Sequence, residues 1–79
     1  MEKILIVDDS IVQATQLMAI LADEYDVTIA QTAEEGLRHV SSESYSLILL
    51  DVVMPGMDGF TLLKKLQEDI VTQSIPVIL

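Results

Sequence analysis

"ILLDVVMPGMDGF", residues 48–60, sets an aspartate at the end of an apolar run and follows it with a Pro-Gly turn and a second aspartate. The aliphatic run Leu47–Leu50 is too short for a helix and fits a strand buried on both faces, as in a parallel sheet covered by helices. Asp51 is then the residue at which that strand leaves the core. A charge beside a core is costly to desolvate, which leaves three readings of Asp51: turn residue, metal ligand or nucleophile. Pro55 presets φ and Gly56 supplies positive φ, so "MPGMDG" taken alone is a turn. Asp58 in the same stretch reads as a turn or capping residue.

The rest of the chain repeats the pattern. "KILIV", Lys3–Val7, is a second buried strand and runs into Asp8, Asp9 and Ser10. Asp9 or Ser10 can cap a helix whose inner face would be Ile11, Ala14, Leu17, Met18 and Leu21. Residues 23–26 read as a turn and 27–30 as a strand. Thr32 caps the next helix, with Glu34 and Glu35 in its first turn where acids favour the dipole, and with Ala33, Gly36, Leu37 and Val40 facing inward. Residues 41–46 read as a loop. Phe60, Leu63, Leu66 and Ile70 would line a third helix, 71–74 a loop, and "IPVIL", residues 75–79, a fourth strand. The order β-α-β-α-β-α-β predicts an α/β fold, with right-handed crossovers and a parallel sheet carrying helices on both faces.

Seventy-nine residues, 51% of them hydrophobic, make one small globular domain. There are no cysteines, so neither a disulfide framework nor a thiolate metal site is available. Thirteen acids against four bases give a formal charge of −9. Such a surface is a poor partner for nucleic acid or anionic membranes and a better one for divalent cations. No apolar run approaches the roughly 18 residues of a bilayer span, and the early acids break a signal-peptide pattern. These features predict a soluble, cytoplasmic chain.

Parallel sheets collect the C-terminal ends of their strands along one edge, and sites form where strand order reverses. If the first and third strands are neighbours, Asp8, Asp9 and Asp51 meet there. Like charges so close raise a pKa unless something neutralises them. Mg²⁺ does so with one or two carboxylates, a carbonyl and several waters. A carboxylate can also attack phosphorus to give an acyl phosphate, and Asp51 is the natural nucleophile. An Asp-Asp-Ser after a strand, read alone, is a turn and cap; the joint occurrence at two strand ends favours a site.

"ILIVDDS", "TAEEGL", "LILLDVVMPGMDGF" and "IPVIL" resemble the receiver domain of two-component response regulators, across all 79 residues. The resemblance implies a flavodoxin-like fold and makes Asp51 the phospho-acceptor. It assigns Mg²⁺ to Asp8, Asp9, Asp51 and the backbone carbonyl of Val53, with Asp9 the more direct ligand and Asp8 acting partly through water. Pro55 and Gly56 would shape the loop after the acceptor. The donor would be a sensor histidine kinase, a phosphotransfer protein or a small acyl phosphate, and the chain a self-phosphorylating signalling module, not a turnover enzyme.

Members of that family have five β-α units, whereas this chain matches a partial receiver domain, residues 1–79, stopping in the fourth strand. The Ser or Thr ending that strand, the Lys ending the fifth and the last two helices have no counterpart. Lys64 and Lys65 sit on the third helix and cannot replace that Lys, and His39 reads as a surface residue. An uncovered fourth strand predicts a homodimer or aggregate through its edge. The alternative is a non-switching receiver that serves as a dimerisation or docking module. A phosphatase of the haloacid dehalogenase type would need D-x-D-x-T, but Val52 and Val53 follow Asp51.

Overall fold

The computed structural model describes residues 1–51 and 59–79. Four parallel strands, β1 (Lys3–Val7), β2 (Asp26–Ala30), β3 (Leu47–Leu50) and β4 (Val77–Ile78), form one sheet in the order β2-β1-β3-β4. Three helices, α1 (Ile11–Leu21), α2 (Ala33–Ser42) and α3 (Gly59–Glu68), alternate with them. The chain steps from β1 outward to β2 and then crosses back past β1 to β3. Strand order therefore reverses beside β1, as the alternating pattern predicts.

Each strand sends successive side chains to opposite faces. Leu5, Val7, Ile48 and Leu50 join a core with Ala33, Val40, Leu62 and Leu66 of α2 and α3. Ile4 and Ile6 turn the other way onto Ala14 of α1, with Leu47 and Leu49 packed against them. Helices thus cover both faces. Ser10 caps α1, its Oγ accepting from the Gln13 amide at 3.3 Å, and Thr32 caps α2, its Oγ1 accepting from the Glu35 amide at 3.1 Å. Glu35 returns the contact by accepting from the Gln31 amide at 3.0 Å. Gly36 lets α2 lie close to β1, since a Cβ there would meet Val7 Cγ2 at 3.2 Å.

Several inner faces differ from expectation. On α1 only Ala14 is fully buried, with Met18 and Leu21 partly covered, while Ile11 and Leu17 are exposed. Ala14 brings the helix down onto Ile4 and Ile6 of β1. On α3 the buried stripe is Gly59, Leu62 and Leu66, with Leu63 at its edge; Phe60 and Ile70 are exposed. The helix ends at Glu68, so Ile70 lies in the turn beyond it, where helical spacing no longer applies. α2 runs through Ser42, into the stretch expected to be loop, and β4 is shorter than 75–79.

Candidate functional site

The register of the sheet fixes where the acids go. Val7 is opposite Leu50, the Asp51 amide donates to the Val7 carbonyl at 2.8 Å, and the Asp8 amide donates to the Ala30 carbonyl at 3.0 Å. Asp8 and Asp51 are therefore the next residues past the ends of adjacent strands, at one level. Side-chain alternation puts both on the α1 face, continuing Ile4 and Ile6 on one strand and Leu47 and Leu49 on the other. Asp9 follows at the start of the turn into α1. Carboxylate oxygens of Asp8, Asp9 and Asp51 all lie within 4.8 Å of one another. The expectation that the three acids converge is met.

Their environments differ. Asp8 is buried at 6% exposure, Asp51 is half-buried and Asp9 is exposed. Burial pushes the Asp8 carboxyl above the usual carboxylate range. The Ser10 amide, donating to Asp8 Oδ1 at 2.9 Å, pulls it partly back, and the neighbouring Asp51 and Asp9 push it up again. Three carboxylates this close repel one another. A cation with oxygen preference would relieve all three at once. The sequence pattern did not single out the Ser10 backbone amide, which orients Asp8; its signal is only its place two residues after a strand-end acid.

Val53, Pro55, Gly56 and Asp58 lie outside the described residues. Lys64 and Lys65 are exposed on α3, away from the acids, and His39 is half-buried on α2. A cavity of about 360 Å³ opens from Asp8 and Asp51 along the α1 face of the sheet, with Gln13 and Leu17 on its wall.

The profile of the response regulator receiver domain matches residues 4–79. The chain belongs to the response regulator receiver domain family. It is 44% identical over 78 residues to the response regulator PleD of Caulobacter vibrioides, an alignment that takes in 98% of this chain and 17% of PleD. Protein PilH of Pseudomonas aeruginosa is 38% identical over 80 residues, covering 100% of this chain and 66% of PilH. The structure of the Vibrio cholerae chemotaxis protein CheY4 superposes with a TM-score of 0.92 at 32% identity, over 98% of this chain and 65% of that one. The receiver therefore has the flavodoxin-like α/β fold expected, and it spans only part of the length of these relatives. Receiver domains are signalling modules. Among the described residues, no helix is long and apolar enough to cross a membrane.

Proposed function

We propose that this receiver takes a phosphoryl group onto Asp51 from a sensor histidine kinase or a phosphotransfer protein, using Mg²⁺ held by Asp8, Asp9 and Asp51. The observation that carries the reading is the convergence of three carboxylates within 4.8 Å at the strand-order reversal of a parallel sheet. Bound Mg²⁺ supplies charge neutralisation at the phosphoryl oxygens. Asp51 Oδ attacks phosphorus; the new O–P bond forms as the donor's P–N or P–O bond breaks, and the leaving group departs with that electron pair. Asp8, held by the Ser10 amide, keeps the acidic wall in place. The Val53 carbonyl completes the ligand set in this reading, and Pro55 and Gly56 shape the loop after the acceptor. The cytoplasm, where such donors act, is the compartment that fits.

The test is incubation with acetyl phosphate and Mg²⁺ followed by intact mass. One phosphoryl adduct is expected, absent in Asp51→Asn and absent when EDTA removes the metal. An unmodified wild-type chain at saturating Mg²⁺ overturns the reading. Val53 is apolar and gives no help in orienting water, so Val53→Asn is expected to hydrolyse the acyl phosphate faster.

A second reading draws on β4. It is an outer strand whose Ile78 is 56% exposed, with Leu79 beyond it at 62%. An apolar strand edge of that kind favours pairing with a second copy, and the chain would then act as a docking module that binds metal without taking phosphate. Light scattering at high concentration decides: a monomeric mass removes this reading.

A further inference from the structure

β2 is an outer strand, paired with β1 on one side and, among the described residues, with no strand on the other. In the full flavodoxin-like order, 2-1-3-4-5, it is outermost as well, because the fifth strand joins at the far end of the sheet. The bonds to β1 decide which of its backbone groups are used. The Asp26 amide donates to the Glu2 carbonyl at 2.9 Å, and the Ala30 carbonyl accepts from the Asp8 amide at 3.0 Å. Bonds along a parallel pair are evenly spaced, so Asp26, Thr28 and Ala30 turn their backbone groups toward β1, and Val27 and Ile29 turn theirs outward. Such outward groups are a template for another strand, which proteins commonly blunt with lysine, proline or a bulge. β2, "DVTIA", has neither lysine nor proline, its register with β1 runs without a bulge, and its one charge, Asp26, stands at its first position. Val27, Thr28 and Ile29 are each only half-buried.

We propose that this edge binds the same edge of a second copy of the chain, antiparallel about a two-fold axis at Thr28. The pattern of outward groups singles out that register. With Thr28 opposite Thr28, Val27 stands opposite Ile29 on both sides of the axis, and each such pair exchanges both of its backbone bonds. A shift of one residue sets outward groups against groups already bonded to β1, and a shift of two leaves Val27 or Ile29 opposite a residue outside the strand. Side chains agree with the register: facing threonines are a favourable pair, and Asp26 stands opposite Ala30, so the two acids never meet. Two four-stranded sheets then become one continuous sheet whose strand direction reverses at the axis. The acidic ends point opposite ways and stay open, so the association is independent of Mg²⁺ and of the phospho-acceptor reading. The contact is short and each copy carries a charge of −9, so the dimer is weak and salt strengthens it.

The chain has no cysteine, so single introduced thiols report which residues meet across copies. The Thr28 pair is of the closer, non-hydrogen-bonded kind, with Cα atoms about 4.5 Å apart, inside the range a disulfide spans. Thr28→Cys, Val27→Cys and Ile78→Cys chains are held at high concentration with oxidised glutathione, and covalent dimer is read by intact mass under non-reducing conditions. Thr28→Cys is expected to give several-fold more dimer than Val27→Cys, whose two thiols are offset along the strands, and than Ile78→Cys on β4. Sedimentation equilibrium of wild type is expected to show a dimer that tightens with salt and ignores Mg²⁺. Val27→Pro removes an outward N–H and spares the bonds to β1, so it is expected to raise the dissociation constant at least about tenfold. Should Val27→Pro fail to fold by circular dichroism, the crosslinks alone decide. Wild type that stays monomeric at every concentration and salt overturns the proposal, as does a Thr28→Cys chain that crosslinks no better than Val27→Cys or Ile78→Cys.

Discussion

The two ends of the sheet handle charge in opposite ways. Near the N-terminal end, Lys3 Nζ lies 3.2 Å from Glu43 Oε2, and the Tyr45 hydroxyl donates to the same oxygen at 3.1 Å. Lys3 with Tyr45 holds the Glu43 carboxyl below its ordinary range. Lys3, Glu43 and Tyr45 form one connected set there. At the C-terminal end, Asp8, Asp9 and Asp51 face one another, and the partner Asp8 does have, the Ser10 amide, does not offset its burial. Among the described residues, one end is electrostatically complete; the other gathers like charge. The contrast locates function, because unrelieved like charge is costly unless a ligand is meant to relieve it.

The largest effect expected is metal-linked stability. At Mg²⁺ concentrations about 100-fold above Kd, wild type gains about 2.7 kcal/mol against unfolding. Asp8→Asn and Asp51→Asn are expected to lose most of that gain, read as the Mg²⁺-dependent rise in melting temperature. An undiminished rise in both variants would break the comparison, since the acidic end would then not be where the cation acts.

Packing comes next. Gly36→Val pushes side-chain atoms against Val7, directly before Asp8, and is expected to destabilise by about 2 kcal/mol in urea unfolding. Because Val7 and Leu50 carry the two acids, Mg²⁺ affinity should weaken alongside.

A smaller effect, of opposite sign, comes from removing the strain of like charge. In EDTA, Asp8→Asn is expected to be more stable than wild type at neutral pH by about 1 kcal/mol. The sign follows from the raised Asp8 pKa. The folded state holds that proton more tightly than the unfolded chain, so ionised Asp8 penalises the fold at neutral pH. The penalty lifts as pH falls through the folded-state value and is gone below the unfolded value of about 3.9. The gap between variant and wild type should therefore narrow on acidification. A gap that widens would reverse the assignment.

The smallest effect belongs to the complete end. Tyr45→Phe removes one hydroxyl and is expected to cost about 0.5 kcal/mol while leaving Mg²⁺ affinity unchanged, by calorimetry. A shift in affinity would show that the two ends are coupled.

How far the sequence could be read depended on how one-sided each signal was. β1 and β3 were legible to the residue because a buried parallel strand is a bare aliphatic run with an abrupt polar end. Thr32 was legible as a cap, and Ser10 as one of two candidates with Asp9, because few residue types accept the orphan amides of a first turn. The inner face of α1 was not, for a physical reason: from Ile11 to Leu21 the helix carries no charged residue, so apolar spacing points in every direction. On α3 two stripes share Leu66, and nothing local says that the helix stops before Ile70. At the site, the acids announced themselves by standing at strand ends. The Ser10 amide had no such signal, since an amide two residues past a strand end is ordinary until its bond to Asp8 Oδ1 is seen.

The amides of Asp8 and Asp51 are themselves rungs between strands, donating to Ala30 and Val7. The backbone at Asp8 and Asp51 is therefore tied to the central strands. In hydrogen exchange, these two amides should be as slow as the strand interior, reporting global opening and not local fraying. Selection on the strand-end carboxylates is then also selection on the rigidity of the hydrophobic rows beneath them, and a substitution deep among those rows is expected to weaken cation binding at the acids.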